Sequence, residues 1–156
     1  MNPPSIRAAT LRDRDVIARF NIEMALETEG KRLDPATVAR GVTGLFEKAE
    51  RGFYLLAERD RQVIGQLMVT FEWSDWRDGN FWWIQSVYIV PSERRTGVFR
   101  ALYDSVLANA RRSANVCGLR LYVDADNHSA QRTYQSLGMN EAHYRLYEVD
   151  FVFTPP

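Results

Sequence analysis

The run Val87-Tyr88-Ile89-Val90-Pro91-Ser92-Glu93-Arg94-Arg95-Thr96-Gly97-Val98-Phe99-Arg100-Ala101-Leu102 joins an apolar strand, a basic turn with one glycine and the start of a helix. Pro91 has no N–H to give to a ladder and ends the strand. Beyond the turn, Val98, Ala101, Leu102, Val106 and Ala110 recur at helical spacing, predicting a helix from about Gly97 to Asn115. Such a junction suits an anion, because the first amides of a helix lack internal partners and lie at the positive end of its macrodipole. Arg94, Arg95 and Arg100 add positive charge, and Gly97 permits a close backbone approach or a left-handed dihedral. The spacing matches neither a nucleotide P-loop nor a dinucleotide fingerprint, so nucleotide hydrolysis and hydride transfer gain no support. On local physics alone an anion site and a plain connecting turn stand level, since ordinary strand-to-helix turns also carry arginine and glycine.

Upstream, Ile6 to Ala9 reads as a short strand, and Thr10 with Asp13 forms a capping box ahead of Val16, Ile17, Phe20, Met24 and Ala25, which share one helical face. Gly30 stops that helix. Asp34-Pro35 starts a second, carrying Val38, Val42, Leu45, Phe46 and Ala49. From Gly52 the period changes to two: strands Phe53 to Glu58 and Val63 to Trp73 flank the charged turn Arg59-Asp60-Arg61-Gln62, and a third strand runs from Phe81 to Val90. Downstream, a strand Leu119 to Val123 follows Gly118, a helix spans His128 to Leu137, and alternating Tyr144, Leu146, Glu148 and Asp150 predict a last strand ending near Phe153. The expectation is an α+β architecture over residues 1–156 as a single domain, with helices on a mixed, mostly antiparallel sheet.

Composition narrows the function. The 156 residues carry 20 basic and 20 acidic side chains, so no net positive field draws the chain to nucleic acid or anionic membrane. One cysteine, Cys117, excludes an internal disulfide, and with two histidines it is too little for a zinc site of those ligands. No stretch approaches the ~18 apolar residues of a membrane span. The polar start Met1-Asn2-Pro3-Pro4-Ser5 does not read as a signal peptide, so a cytoplasmic protein is expected.

A second segment, Asn127-His128-Ser129-Ala130-Gln131-Arg132-Thr133-Tyr134-Gln135-Ser136-Leu137-Gly138-Met139, places Asn127, Ala130 and Tyr134 on one helical face and its entry loop. The two segments, in this order and separated by one helix and one strand, resemble the acyl-coenzyme A-binding motifs of the GNAT family of N-acetyltransferases. The resemblance implies a GNAT-like domain whose central strands splay apart, with acetyl-coenzyme A as cofactor. It assigns the backbone of Val87, Tyr88 and Ile89 to the pantetheine arm, and the amides from Arg95 through Thr96, Gly97, Val98 and Phe99 to Arg100 to the pyrophosphate. Arg94 takes the motif's first position, Asn127 the cofactor arm, and Tyr134 the proton returned to the departing thiolate. Phe99 departs from the motif, which has glycine or alanine there, so its ring must turn away from the phosphate. Homodimers are common among chains with this resemblance.

The implied reaction is direct attack of a neutral amine on a thioester, which needs donors for the developing oxyanion and an acid for the sulfur. A phenol, with a reference pKa near ~10, is protonated at neutral pH and suits that donation. Periodicity alone reads Tyr134 as a core residue of an amphipathic helix; the surrounding motif reverses that. For the base, the strand from Phe81 to Val90 offers no carboxylate, and Glu72 is the first candidate, with Glu27 and Glu29 as alternatives; each taken singly reads as a solvated charge before it reads as a catalyst. Phe71, Trp73, Trp76, Phe81, Trp82 and Trp83, interleaved with acidic residues, read either as an acceptor pocket for an ammonium or as cross-strand pairs that stabilise the hairpin. The acceptor-site candidates are Glu27, Trp73, Trp83 and Gln85; Gln85 and Ser86 contact the acceptor or face a neighbouring strand's polar group. Cys117 reads as a core residue rather than a nucleophile. The expected function is acetyl transfer to a small or polyamine-like primary amine. A protein-amine acetyltransferase and a non-catalytic acyl-coenzyme A-binding regulatory module are the alternatives.

Overall fold

The computed structural model describes residues 2–153 and divides into two compact units, one ending at Tyr122 and one beginning at Val123. The first contains β1 (Ser5–Ala8), α1 (Arg14–Glu29), α2 (Pro35–Glu47), β2 (Gly52–Arg59), β3 (Gln62–Ser74), β4 (Gly79–Ile89), α3 (Val98–Arg112) and β5 (Val116–Leu121). The strands lie in the order β1-β2-β3-β4-β5; the first four pair antiparallel, and β5 runs parallel to β4. This is the expected mixed, mostly antiparallel α+β sheet. The second unit contains α4 (His128–Ser136).

Local chemistry explains most boundaries. Thr10 N donates to the Asp13 carboxylate at 2.8 Å, and Arg7 forks onto the same carboxylate at 2.8 Å on each oxygen. The Arg7 hydrogen bonds hold the Asp13 pKa down at about 2. Asp34 accepts from Thr37 N at 2.8 Å with Pro35 in the first helical turn, and Gly30 closes α1 with φ 63°. Tyr54 and Leu56 of the sheet pack with Ile17 and Ala18 of α1 and Val42 and Leu45 of α2. Strand alternation sends Leu55, Leu67 and Val69 to the opposite face, where α3 contacts β2, β3 and β5 and buries Val98, Leu102 and Val106.

Three expectations need correction. The two long helices end at Glu47 and Arg112, short of Ala49 and Asn115. Strand β5 begins at Val116 rather than Leu119, because Gly118 is no break: a Cβ there would come within 2.7 Å of the Phe81 ring, so the glycine lets two strands approach. The expected last strand is absent among the described residues; Tyr144, Leu146, Tyr147, Val149 and Phe151 are exposed and form no ladder. A period-two pattern favours an extended segment, but a strand exists only with a paired edge.

Candidate functional site

The β4–α3 junction is built from backbone. After β4, Pro91–Glu93 make a single tight turn, Arg95 takes φ 65° and Gly97 φ 86°. Turns that include left-handed residues can gather successive amides into a concavity that favours anions. A Cβ at Gly97 would meet nothing within 4 Å, so the backbone there faces open space. The α3 ladder begins with Ala101 N donating to Gly97 O at 3.0 Å, leaving the amides of Val98, Phe99 and Arg100 ahead of it. The Phe99 ring lies along the helix beside Tyr103, with centroids 6.3 Å apart.

Arg94 turns toward α1. Its two terminal nitrogens donate to the Glu27 carboxylate at 2.6 and 2.8 Å, its Nε donates to Ile89 O at 3.0 Å, and its guanidinium lies 5.7 Å from the Tyr88 ring centroid. The paired hydrogen bonds raise Arg94 and lower Glu27 from their ordinary pKa values. A residue expected at the cofactor and one expected at the acceptor therefore hold each other. Arg95 and Arg100, both exposed, carry the remaining charge of the turn.

Beside this pair lies a cleft of about 220 Å³, lined by Met24, Glu27 and Thr28 of α1, Val87, Tyr88 and Ile89 of β4, and Arg94. Tyr88 is buried, stacks on Phe20 at 4.9 Å and donates to Glu23 at 2.9 Å; burial and that carboxylate push its phenol up. Sequence reasoning missed Met24 and Thr28, since a helix face gives no sign of which strand it will meet.

The strand above the cleft is splayed. Opposite Leu67, β4 inserts two residues, Ser86 and Val87, and Ser86 takes φ 49°. Such a bulge bends a strand and ends regular pairing. β4 pairs with β5 only from Asn80 to Ile84, so among the described residues Gln85 to Ile89 have no ladder partner on the β5 side. Main-chain groups on that edge are left for a partner other than β5. Gln66, fully buried, donates to Ser86 O at 3.3 Å and to Asn21 at 2.7 Å, fixing the bulge to α1. The polar pair Gln85-Ser86 in an apolar strand was its sequence signal.

Across β3, β4 and β5, one sheet face gathers Glu72, Phe81, Trp83, Gln85, Arg120 and Tyr122. Arg120 donates to Glu72 at 2.6 Å and sits 3.6 Å from the Phe81 ring centroid, and Trp83 stacks on Tyr122 at 4.4 Å. Gln85 donates to Thr70 Oγ1 at 2.6 Å, the neighbouring-strand alternative. The aromatic stretch does not converge. Phe71 and Trp82 pack with Phe53 at 6.2 and 5.2 Å on the face opposite Glu72 and Trp83, and Trp73, on that same opposite face, is 59% exposed.

In the second unit, Asn127 caps α4 by accepting from Ala130 N at 3.0 Å. Tyr134 is half-buried on α4, and burial pushes its phenol above the ordinary value. Among the described residues no cluster of three or more metal-ligating side chains occurs, and no helix is long and apolar enough to cross a membrane.

An α+β sheet whose splayed strand pair opens onto a helix-start turn defines the class of acyl-coenzyme A-dependent acyltransferases. The comparisons agree. The model of the acetyltransferase (GNAT) family matches residues 19–139. A possible acetyltransferase from Clostridium difficile 630 is 41% identical, with 97% of this chain and 100% of that one covered and a TM-score of 0.89. A predicted acetyltransferase with acetyl-CoA from Clostridium acetobutylicum, 17% identical with 96% and 97% covered, shares the fold at a TM-score of 0.76. So does ribosomal-protein-alanine N-acetyltransferase from Brucella melitensis biovar Abortus 2308, 17% identical with 96% and 100% covered, at 0.75. No curated protein matches significantly. The chain belongs to the GNAT acetyltransferase family and is an acyl-coenzyme A-dependent N-acetyltransferase whose donor is acetyl-coenzyme A.

Proposed function

We propose that residues 1–156 act as one catalytic domain that transfers the acetyl group to a primary amine on a small or polyamine-like molecule by direct attack. The observation that carries this reading is the junction itself: a strand end from Gln85 to Ile89, without a ladder partner on the β5 side among the described residues, runs into a turn with left-handed residues at Arg95 and Gly97 and open space at the glycine. Acetyl-coenzyme A supplies the activated thioester. The amides from Arg95 to Arg100 hold its pyrophosphate, with Thr96, Val98 and Phe99 contributing main chain only, and Arg95 and Arg100 screening charge. The backbone of Val87, Tyr88 and Ile89 pairs with the pantetheine arm, Arg94 holds the turn against Glu27, and Asn127 contacts the same arm while capping α4. A half-buried phenol with a raised pKa stays protonated at neutral pH, which equips Tyr134 to donate to the departing sulfur.

The acceptor enters over the face bearing Trp83 and Gln85, where Glu72 takes the proton of the ammonium and Trp83 offers a ring face to its charge. Glu27 sets the edge of the cleft, and Trp73, on the opposite sheet face, reaches only acceptors long enough to pass the outer end of the hairpin. The single Cys117, half-buried and unbridged, accords with a reducing cytoplasm. A panel of primary amines, with thiol release followed, tests the reading. Turnover with small polycationic amines and none with peptides is expected; turnover restricted to peptide amines would overturn the acceptor assignment.

A further inference from the structure

Arg59, the last residue of β2, is 8% exposed, yet carries a charge that costs several kcal/mol to bury unpaired. Its Nη1 donates to Glu93 Oε2, and its Nε donates to Asn2 O at 2.7 Å. Glu93 ends the turn after β4, and its backbone carbonyl accepts from Thr96 Oγ1 at 2.7 Å. A part-buried ion pair thus reaches from the β2–β3 hairpin, 34 residues away, to the segment where Arg95 holds φ 65°. A non-glycine residue in that region costs about 1–2 kcal/mol, and neighbouring contacts must hold it there. Glu93 also places a carboxylate two residues before Arg95, at the edge of the segment assigned to a diphosphate. Arg59 is what neutralises it.

We propose that Arg59 is a positioning residue for coenzyme A binding: through Glu93 and Thr96 it holds the turn in its anion-binding shape and cancels a negative charge that would otherwise repel the diphosphate. The proposal rests on the placement of the diphosphate given above. A merely structural pair would stabilise the whole domain and affect every ligand alike, so the test compares two ligands. Coenzyme A is titrated by calorimetry and pantetheine, which lacks the diphosphate, by NMR, against wild type, Arg59→Met and the double variant Arg59→Met/Glu93→Gln. Arg59→Met is expected to weaken coenzyme A about tenfold, the range of a lost charge-assisted contact, while pantetheine changes by less than about twofold. The double variant should recover most of the loss, because the uncompensated carboxylate is gone.

Equal losses for both ligands in a folded variant, or unchanged coenzyme A affinity, would overturn the proposal while leaving the functional reading intact. No coenzyme A binding by the wild type would overturn both. If Arg59→Met does not fold, Thr96→Val removes only the hydroxyl. A selective loss of about threefold for coenzyme A supports the positioning role, and an unselective or absent loss contradicts it.

Discussion

The β4–α3 turn proposed for the phosphates and the sheet face proposed for the acceptor are built from different materials. Between Glu93 and Arg100 the features that matter are main-chain ones: left-handed dihedrals at Arg95 and Gly97, and amides ahead of the α3 ladder. On the face of β3, β4 and β5 they are side chains: the Glu72–Arg120 pair, the Trp83–Tyr122 stack and the Gln85–Thr70 hydrogen bond. A main-chain site tolerates variation in side chains and is broken by variation in backbone shape. A side-chain site behaves in the opposite way, so donor binding should be the robust property of this domain and acceptor choice the mutable one.

The largest effect that would sharpen this contrast belongs to neither region. Tyr134→Phe is expected to lower kcat by about 10²-fold with the Kd for coenzyme A within about twofold, measured by thiol release and calorimetry, because it removes a proton and no binding surface. Near-wild-type turnover would remove the acid role. Next, Gly97→Val should weaken coenzyme A by about tenfold or more, since a branched side chain is strained at φ 86° and fills the open space before the turn. Arg95→Gln, which leaves the amides in place, should cost only about threefold and reduce the salt dependence of binding. A larger loss for Arg95→Gln than for Gly97→Val would break the main-chain account.

On the sheet face, Trp83→Ala should raise the acceptor KM about fivefold and alter the ranking of amines, with coenzyme A affinity unchanged by calorimetry. The smallest effect concerns pH. Glu27 titrates below the ordinary carboxylate range because Arg94 binds its charged form. The pair therefore contributes fully above the usual glutamate pKa of ~4.3 and is lost as pH falls through the depressed value. Coenzyme A affinity should stay flat from about pH 8 to about pH 5, and Glu27→Gln should lower it about twofold throughout that range. A loss that titrates near neutrality would place another group in control.

Elements with their own local punctuation were legible in the sequence. Asp34-Pro35 opened α2 and Gly30 closed α1, and Pro91 and Gly97 marked the end of β4 and the start of α3, although the turn's own chemistry left an anion site and a plain connection level. What escaped was long-range. The bulge at Ser86 depends on the partner strand counting one residue where β4 has two, so the polar Gln85-Ser86 pair marked the place without revealing the geometry. Gly118 read as a strand break because its role, room for the Phe81 ring, lies across the sheet. The last strand failed for the same reason in reverse: the alternation from Tyr144 was real, but pairing is supplied from elsewhere. At the site, Glu27 and Arg94 were both singled out, yet nothing in their spacing of 67 residues shows that they meet. The aromatic stretch divides between two faces because strand alternation separates neighbours that look clustered in sequence.

The most direct measurement is backbone NMR of the isotope-labelled protein during titration with coenzyme A and, separately, with pantetheine. With coenzyme A the amides from Arg95 to Arg100 should show the largest shifts and gain protection from exchange, while pantetheine should move Val87 to Ile89 and leave the turn unchanged. Shifts confined to other elements, or a turn that responds equally to the ligand without a diphosphate, would contradict the account.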